Sequence, residues 1–232
     1  MTTHRKVLAA ALAVTALTGC HGHDTPHAQK ASSPANNPES SAPARAALDS
    51  IPTRPETAVS GYSHTGWSRH GGCDTRGSFL QEHDVHHAAH IKKGTRCTVN
   101  RGNWVDSYSG RPLNGAPKGL VDVDHMVPLA EAWQSGAAQW SPRLWEQFVN
   151  DQQHGELVIA NASLNRSKGD KSPDQWLPPA DHAKQCHYAR QYVQTAAHWN
   201  QQAHREGHEL SMDAGEKAGI TRILDGCKEK SQ

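Results

Sequence analysis

Apolar residues are unevenly spread along the chain, and their spacing divides it into three regions. Val7 to Gly19 is a short apolar run behind the basic residues His4, Arg5 and Lys6, too short to span a bilayer as a stable anchor. From His21 to about Thr57 the chain is Ala, Ser, Pro, Asn and His with almost no large apolar residue. Such a segment cannot bury enough surface to offset its ordering entropy, so it reads as a flexible tether. The expected organisation is a leader at 1–19, a tether at 20–58 and one folded domain at 59–228.

Within the domain, the spacing predicts a helix from Arg76 to Ala89, with Phe79, Leu80 and Val85 as its apolar points, and a short strand from Thr95 to Val99. Asn103-Trp104-Val105 and Tyr108-Ser109-Gly110 suggest a loop-held region. From Gly119 the pattern sharpens. Leu120 to Val127 is a strand, and Leu129 to Ser135 is a helix that starts after Pro128. Ser141-Pro142 pairs an N-cap with proline at the first helical position, opening a helix that buries Leu144, Trp145 and Phe148. Glu156 to Ala160 is a second strand. Asn161 to Lys168 is a short helix closed by Gly169. Ser172-Pro173 opens another short helix, residues 181–204 form a long one, and Met212 to Leu224 forms the last. Trp133, Trp145 and Trp176 lie beside apolar partners and are expected in the core. The predicted class is α+β.

Composition changes this picture at the N-terminus and at the cysteines. Leu17-Thr18-Gly19-Cys20 resembles a bacterial lipobox, with cleavage before Cys20 and lipid on its thiol, which makes the mature chain anchored rather than spanning. The expected location is outside the cytoplasm, lipid-anchored at the cell membrane and partly secreted. Residues 1–19 hold two of the 24 Lys and Arg residues, leaving 22 against 23 acidic ones, a formal charge of −1. No global basic field exists, so a polyanion must be held by a local patch in a salt-sensitive way. Cys73, Cys97, Cys186 and Cys227 remain after Cys20. An even number in an exported chain reads as two disulfides. Of the three possible pairings, Cys73–Cys97 with Cys186–Cys227 keeps each bridge within one half of the chain.

The chemistry concentrates in two stretches. Asp124 and His125 sit on the first sharp strand, and Asn165 and Lys168 share one face of the short helix after the second strand. If that helix crosses the hairpin, two oxygen ligands meet beside one imidazole. Adjacent strand residues point to opposite faces, so one site can use both Asp124 and His125 only where the pleat breaks, and Pro128 marks a nearby end of pairing. Two oxygens suit a hard cation such as Mg²⁺ or Mn²⁺, which keeps several waters. A neutral His125 can take a proton from water.

Asp122-Val123-Asp124-His125-Met126-Val127-Pro128 followed by Leu164-Asn165-Arg166-Ser167-Lys168-Gly169-Asp170 resembles the HNH, or ββα-metal, endonuclease motif. The whole domain is similar to exported HNH proteins related to the C-terminal domain of the GmrSD restriction enzyme. That likeness extends to Gly61-Tyr62-Ser63, Gly72-Cys73-Asp74-Thr75-Arg76, Tyr108-x-Gly110, Ala132-Trp133-x-x-Gly136-Ala137, Asn150-Asp151 and Trp176-Leu177-Pro178-Pro179. The resemblance implies hydrolysis of DNA or RNA to a 5′-phosphate and a 3′-hydroxyl. It implies Asp124 and Asn165 as metal ligands and His125 as the base. Lys168 would contact phosphate, and Arg76 with Asp74 would brace the site or bind phosphate. The motif's third His is Asn165 here, and its middle Asn falls near Gly155 or Glu156, leaving Asn150 as the candidate for that bracing role. The expected partners are nucleic acid and, through the lipid, the membrane; no obligate protein partner is implied.

A second reading comes from "EHDVHHAAH". His83/His87 and His86/His90 are i,i+4 pairs on the predicted helix, able to chelate a transition metal, and His21, His23 and His27 add a further cluster. That reading is a noncatalytic, histidine-rich metal-binding lipoprotein on the same scaffold.

Overall fold

Ser41 to Ser63, Trp67 to His70 and Gly72 to Cys227 are the residues described by the computed structural model. The expected leader, Cys20 and the histidines at 21, 23 and 27 lie outside the described residues. Among the described residues no helix is long and apolar enough to cross a membrane.

The tether expected as far as residue 58 gives way to packed chain at Ser41. Ala42–Ser50 is a helix, α1, whose Ala44 and Leu48 are buried together with Ile51 just beyond it. Spacings of four and three put these side chains on one helical stripe. Thr53 then bridges to Met212, and the Thr57 N–H donates to the Gln134 carbonyl. The stripe is short and rich in alanine, which is why composition alone hides it. Leu48→Ala is expected to cost about 2–5 kcal/mol. Thermal unfolding of the variant should show it as a melting-temperature drop of several degrees.

Four small elements follow: β1 (Arg69–His70), β2 (Cys73–Asp74), α2 (Thr75–Glu82) and β3 (His90–Ile91). Asp74 caps α2 by accepting the Gly77 N–H at 2.6 Å. The helix predicted to Ala89 stops at Glu82 because Asp84 turns inward. Its buried carboxylate accepts the N–H groups of His86, Ala88 and Asn103, at 3.0, 3.1 and 2.6 Å. β4 (Val99–Val105) and β5 (Pro112–Pro117) complete an antiparallel sheet ordered β3-β4-β5. Asn103-Trp104-Val105, read from sequence as loop, therefore lies on its central strand, with Trp104 buried and its indole N–H on the Leu80 carbonyl.

β6 (Val121–His125) pairs antiparallel with β7 (Leu157–Asn161), and α5 (Ala162–Lys168) follows directly. Between the strands lie α3 (Leu129–Gln134) and α4 (Pro142–Val149). α4 is capped by Ser141, whose hydroxyl accepts the Leu144 N–H. α6 (His182–Arg205) and α7 (Ala214–Gly226) close the domain. Residues 172–175 form only turns, not the helix predicted there. The disulfides join Cys73 to Cys97 and Cys186 to Cys227, the expected pairing.

The β6–β7 hairpin is a partition between two cores. Val158 and Ala160 pack with Tyr108, Tyr188, Trp145 and Phe148 in the larger, mostly helical one. Leu157 and Ile159 pack with Val121, Val123, Phe79 and Trp104 in the smaller one beneath the three-stranded sheet. Both faces of β7 are covered, which accounts for its unbroken apolar run.

The larger core also buries two acids, Glu131 on α3 and Glu216 on α7. Burial lifts Glu131 to about 7, its bond from Ser135 pulling it back and the charges of Glu56 and Asp213 adding to the rise. Burial and then the charge of Glu131 lift Glu216 to about 9. Both acids hold protons in the native state that the unfolded chain releases above about pH 4.5. Their contribution to stability is therefore complete below about pH 4.5 and erodes from there up to about 7 for Glu131 and about 9 for Glu216, by about 1.4 kcal/mol per pH unit for each group still protonated. These two groups should lower the melting temperature from about pH 4.5 to 9, most steeply below about 7 where both are still protonated, and Glu216→Gln should flatten the part between 7 and 9.

Candidate active site on the hairpin

Strand alternation sorts the residues of β6. Val121, Val123 and His125 are buried on one face, and Asp122 and Asp124 are half-buried on the other, where α5 packs. Asn161 starts α5 by accepting the Ser163 N–H at 2.9 Å, and Gly169, with φ 55°, ends it. This short helix is enough to put Asn165 and Lys168 over the two carboxylates, while Arg166 stays exposed.

Asp124 is held from three sides. Tyr108 donates its hydroxyl to Oδ2 at 2.5 Å, Lys168 Nζ donates to the same oxygen at 3.2 Å, and the His125 N–H donates to Oδ1 at 2.7 Å. Lys168 also donates to the His125 carbonyl at 2.8 Å and has no exposed surface. It is a buried counter-ion to Asp124, so the expected phosphate contact is closed to it. Tyr108 stays protonated, because burial first and the Asp124 charge second push its hydroxyl well above its ordinary value. Glu156 lies deeper in the same place. Burial keeps its carboxyl protonated well above the usual range, and its backbone and side-chain oxygens accept the Met126 and Val127 N–H groups at 2.6 and 3.3 Å. Those two bonds clamp the chain directly after His125.

Asn165 meets Asp122 rather than Asp124. Its Nδ2 donates to Asp122 Oδ2 at 3.2 Å. Arg76 braces the same strand, donating to the Val121 carbonyl at 3.1 Å with its guanidinium 4.0 Å from Asp122 Oδ1. Pairing continues without a break through His125 opposite Leu157, so the pleat does not open at the Asp124–His125 step. The imidazole consequently leaves on the face away from Asp124. There its Nε2 lies 2.9 Å from the Val149 carbonyl and its ring stacks on Trp67, with centroids 5.2 Å apart and 8° between planes. A carbonyl can only accept, so Nε2 carries a proton, and in the neutral tautomer the lone pair is on Nδ1. Asn150 does not touch the imidazole. Its amide accepts the Ser68 N–H at 2.9 Å and donates to the Ser68 hydroxyl at 3.1 Å, tying down the segment whose Trp67 covers His125.

The α5 side of β6 thus offers two carboxylates and one amide oxygen. Asp124 Oδ1 accepts a single N–H and keeps a lone pair. A flip of the Asn165 amide would present its oxygen where its nitrogen now meets Asp122. One or two carboxylates are what a hard, largely hydrated divalent cation takes, so the donor set fits Mg²⁺ or Mn²⁺ and provides no soft ligand. The histidines at 83–90 make no comparable set. His83 stacks on Phe79 with its Nδ1 3.0 Å from the Phe79 carbonyl, and His87 is in a left-handed turn with φ 50°. The predicted i,i+4 pairs lost their helix to Asp84. Among the described residues His182, Cys186 and Cys227 do bring ligand atoms within 4.8 Å of one another, but the disulfide consumes both thiols.

Sequence reasoning missed three members of the network. Tyr108 entered only through a Tyr-x-Gly match. Asp122 stands two residues before Asp124, the spacing that shares a strand face. Glu156 opens an apolar strand, where a buried acid has no periodic signal.

The sequence model of the family described as "GmrSD restriction endonucleases, C-terminal domain" matches residues 82–210. An uncharacterized secreted protein of Arthroderma benhamiae is 30% identical over 198 residues, covering 84% of this chain and 89% of that relative. No solved structure matches the chain at a significant level.

Proposed function

The chain belongs to the family of GmrSD restriction endonuclease C-terminal domains, and from that premise we propose that it is a divalent-metal-dependent HNH endonuclease that hydrolyses DNA outside the cytoplasm. The observation that carries the reading is the α5 side of β6, where Asp122, Asp124 and Asn165 group beside the buried Lys168. Export is supported by the secreted relative and by the two disulfides; lipid attachment at Cys20 rests on the lipobox alone.

In this reading Asp124 and Asn165, with Asp122 beside them, hold Mg²⁺ or Mn²⁺. A cation bound there would supply Lewis-acid polarisation of the phosphoryl oxygen and charge stabilisation for the departing 3′ oxygen. Lys168 and Tyr108 hold the Asp124 carboxylate in place through its Oδ2. His125 takes the proton of the attacking water on Nδ1, and the Val149 carbonyl keeps the other nitrogen protonated. Because the two side chains leave β6 on opposite faces, the phosphodiester lies across the end of the strand in this reading. Arg76 steadies the strand beside Asp122, Asn150 holds the Ser68 segment whose Trp67 covers His125, and Glu156 clamps the chain directly after His125.

The test is plasmid degradation by the purified protein across a panel of divalent metals. Cutting with Mg²⁺ or Mn²⁺ that stops in EDTA and returns on adding metal is the expected result. Equal cutting in EDTA, or none with any metal, would reject the assignment.

A further inference from the structure

Charge is distributed asymmetrically along the chain. Val85 to Val121 contain six Lys and Arg residues and a single acid, Asp106, whereas the rest of Cys20 to Gln232 contains 16 basic and 22 acidic residues. The formal charges are +5 and −6. Folding turns this into a surface. Asp106 is buried, and its carboxylate accepts the Ser109 and Asn161 N–H groups at 2.9 and 2.8 Å, so it puts no negative charge outside. Val99, Trp104 and Ala116 face the smaller core. Lys92, Lys93, Arg96, Arg101, Arg111 and Lys118 are all exposed. Among the described residues no carboxylate forms an ion pair with Lys92, Lys93, Arg101, Arg111 or Lys118.

We propose that the β3-β4-β5 sheet is the docking surface for the phosphate backbone of duplex DNA, with the β3–β4 hairpin as its leading element. The hairpin places Lys92, Lys93 and Arg96 at its tip. Gly94, with φ 81°, makes the turn, and the Lys92 N–H on the Thr98 carbonyl at 2.8 Å closes it. The Cys73–Cys97 disulfide pins its base to the chain entering α2, so the tip is presented on a braced support. Two strands about 4.8 Å apart form a ribbon narrow enough for the roughly 12 Å major groove.

The sheet also leads to the site. Arg101 on β4 is the Cα partner of both His90 and Pro117. Lys118 lies in the short 3₁₀ turn that runs directly into β6. The few residues from Lys118 to Asp122 span at most about 14 Å of chain. The sheet packs on the face of β6 opposite the carboxylates, so a duplex gripped at the hairpin tip and at Lys118 reaches them around the start of β6. On a chain with net negative charge elsewhere, a solvated face needs no such clustering, and the mutual repulsion of these cations costs stability unless a polyanion offsets it. The choice of DNA as the polyanion rests on the nuclease reading; the cationic surface itself does not.

Binding is measured without catalysis, by fluorescence anisotropy of a labelled duplex with the purified protein in EDTA, titrated from about 50 to 200 mM salt. Each phosphate contact contributes about 0.9 to the slope of log K against log salt. The triple variant Lys92→Glu, Lys93→Glu, Arg101→Glu should lower the magnitude of that slope by about 2.7 and weaken binding at least roughly tenfold. A Lys92→Gln, Lys93→Gln, Arg101→Gln variant should show the same direction with a smaller loss, and guards against misfolding of the glutamate variant. Hydrolysis of bis(p-nitrophenyl) phosphate, too small to reach the sheet, should be unchanged in both. Unaltered slope and affinity in both variants would overturn the proposal. So would loss of binding to phosphatidylserine vesicles with duplex binding intact, which would make the sheet a membrane face. A wild type that binds the duplex but never hydrolyses the small substrate would instead count against the nuclease reading and leave the binding result standing.

Discussion

His125→Ala is expected to slow metal-dependent plasmid cleavage about 10²–10⁴-fold, the usual contribution of a positioned general base. The ring's role follows from its tautomer. The Val149 carbonyl requires the proton on Nε2, and the Trp67 stack fixes the plane of the ring, so Nδ1 is the nitrogen that can take a proton. The substitution also orphans the buried Val149 carbonyl, a structural cost of about 1–3 kcal/mol. Rates are therefore compared well below both melting temperatures. Added imidazole separates chemistry from structure: it fits the space left by the ring and should restore part of the activity with an apparent pKa near its own. A variant that cuts at the wild-type rate, or whose loss imidazole cannot touch while its stability is unchanged, would remove His125 from the proposed mechanism.

Lys168→Met should be the most destabilising single substitution at the site, by about 3–5 kcal/mol. Lys168 has no exposed surface and Asp124 little, so removing the ammonium leaves a largely desolvated carboxylate without its counter-ion. Tyr108 alone cannot replace that charge; its neutral hydroxyl supplies one hydrogen bond to Oδ2. Asp124→Asn combined with Lys168→Met removes both charges and should recover much of the loss. Chemical denaturation of the four proteins in that cycle yields the coupling directly. Additive effects would mean that the pair does not act as a unit. In the proposed mechanism the double variant is stable yet inactive, because a neutral amide in place of the Asp124 carboxylate holds a cation poorly.

The chain's local grammar carried the helices and strands from Gly119 onward, apart from the helix expected after Ser172, where only turns form. The Ser141-Pro142 start, the Gly169 stop and the long amphipathic run of α6 are local signals, decided by capping, left-handed backbone and helical spacing. Local pattern failed where a single buried polar group overrode it. Asp84 ends α2 by gathering three N–H groups from residues as distant as Asn103. α1 looked like tether because its stripe contains few large side chains, and its helix gains its stability by packing on α6 and α7, elements far along the chain.

The same division holds at the site. Read alone, the amino-acid order settled which chemistry was present: an Asp-His strand, an Asn-x-x-Lys helix, four cysteines and a basic stretch bordered by acidic chain. How those groups face one another was settled only by folding. Uninterrupted pairing of β6 sent His125 and Asp124 to opposite faces, burial converted Lys168 from a phosphate contact into a counter-ion, and the crossing of α5 matched Asn165 with Asp122. Spacing along a strand or helix is a local property and survives in the sequence. Which side of a sheet is dry, and which charge loses its water there, depends on residues that meet only when the chain has folded.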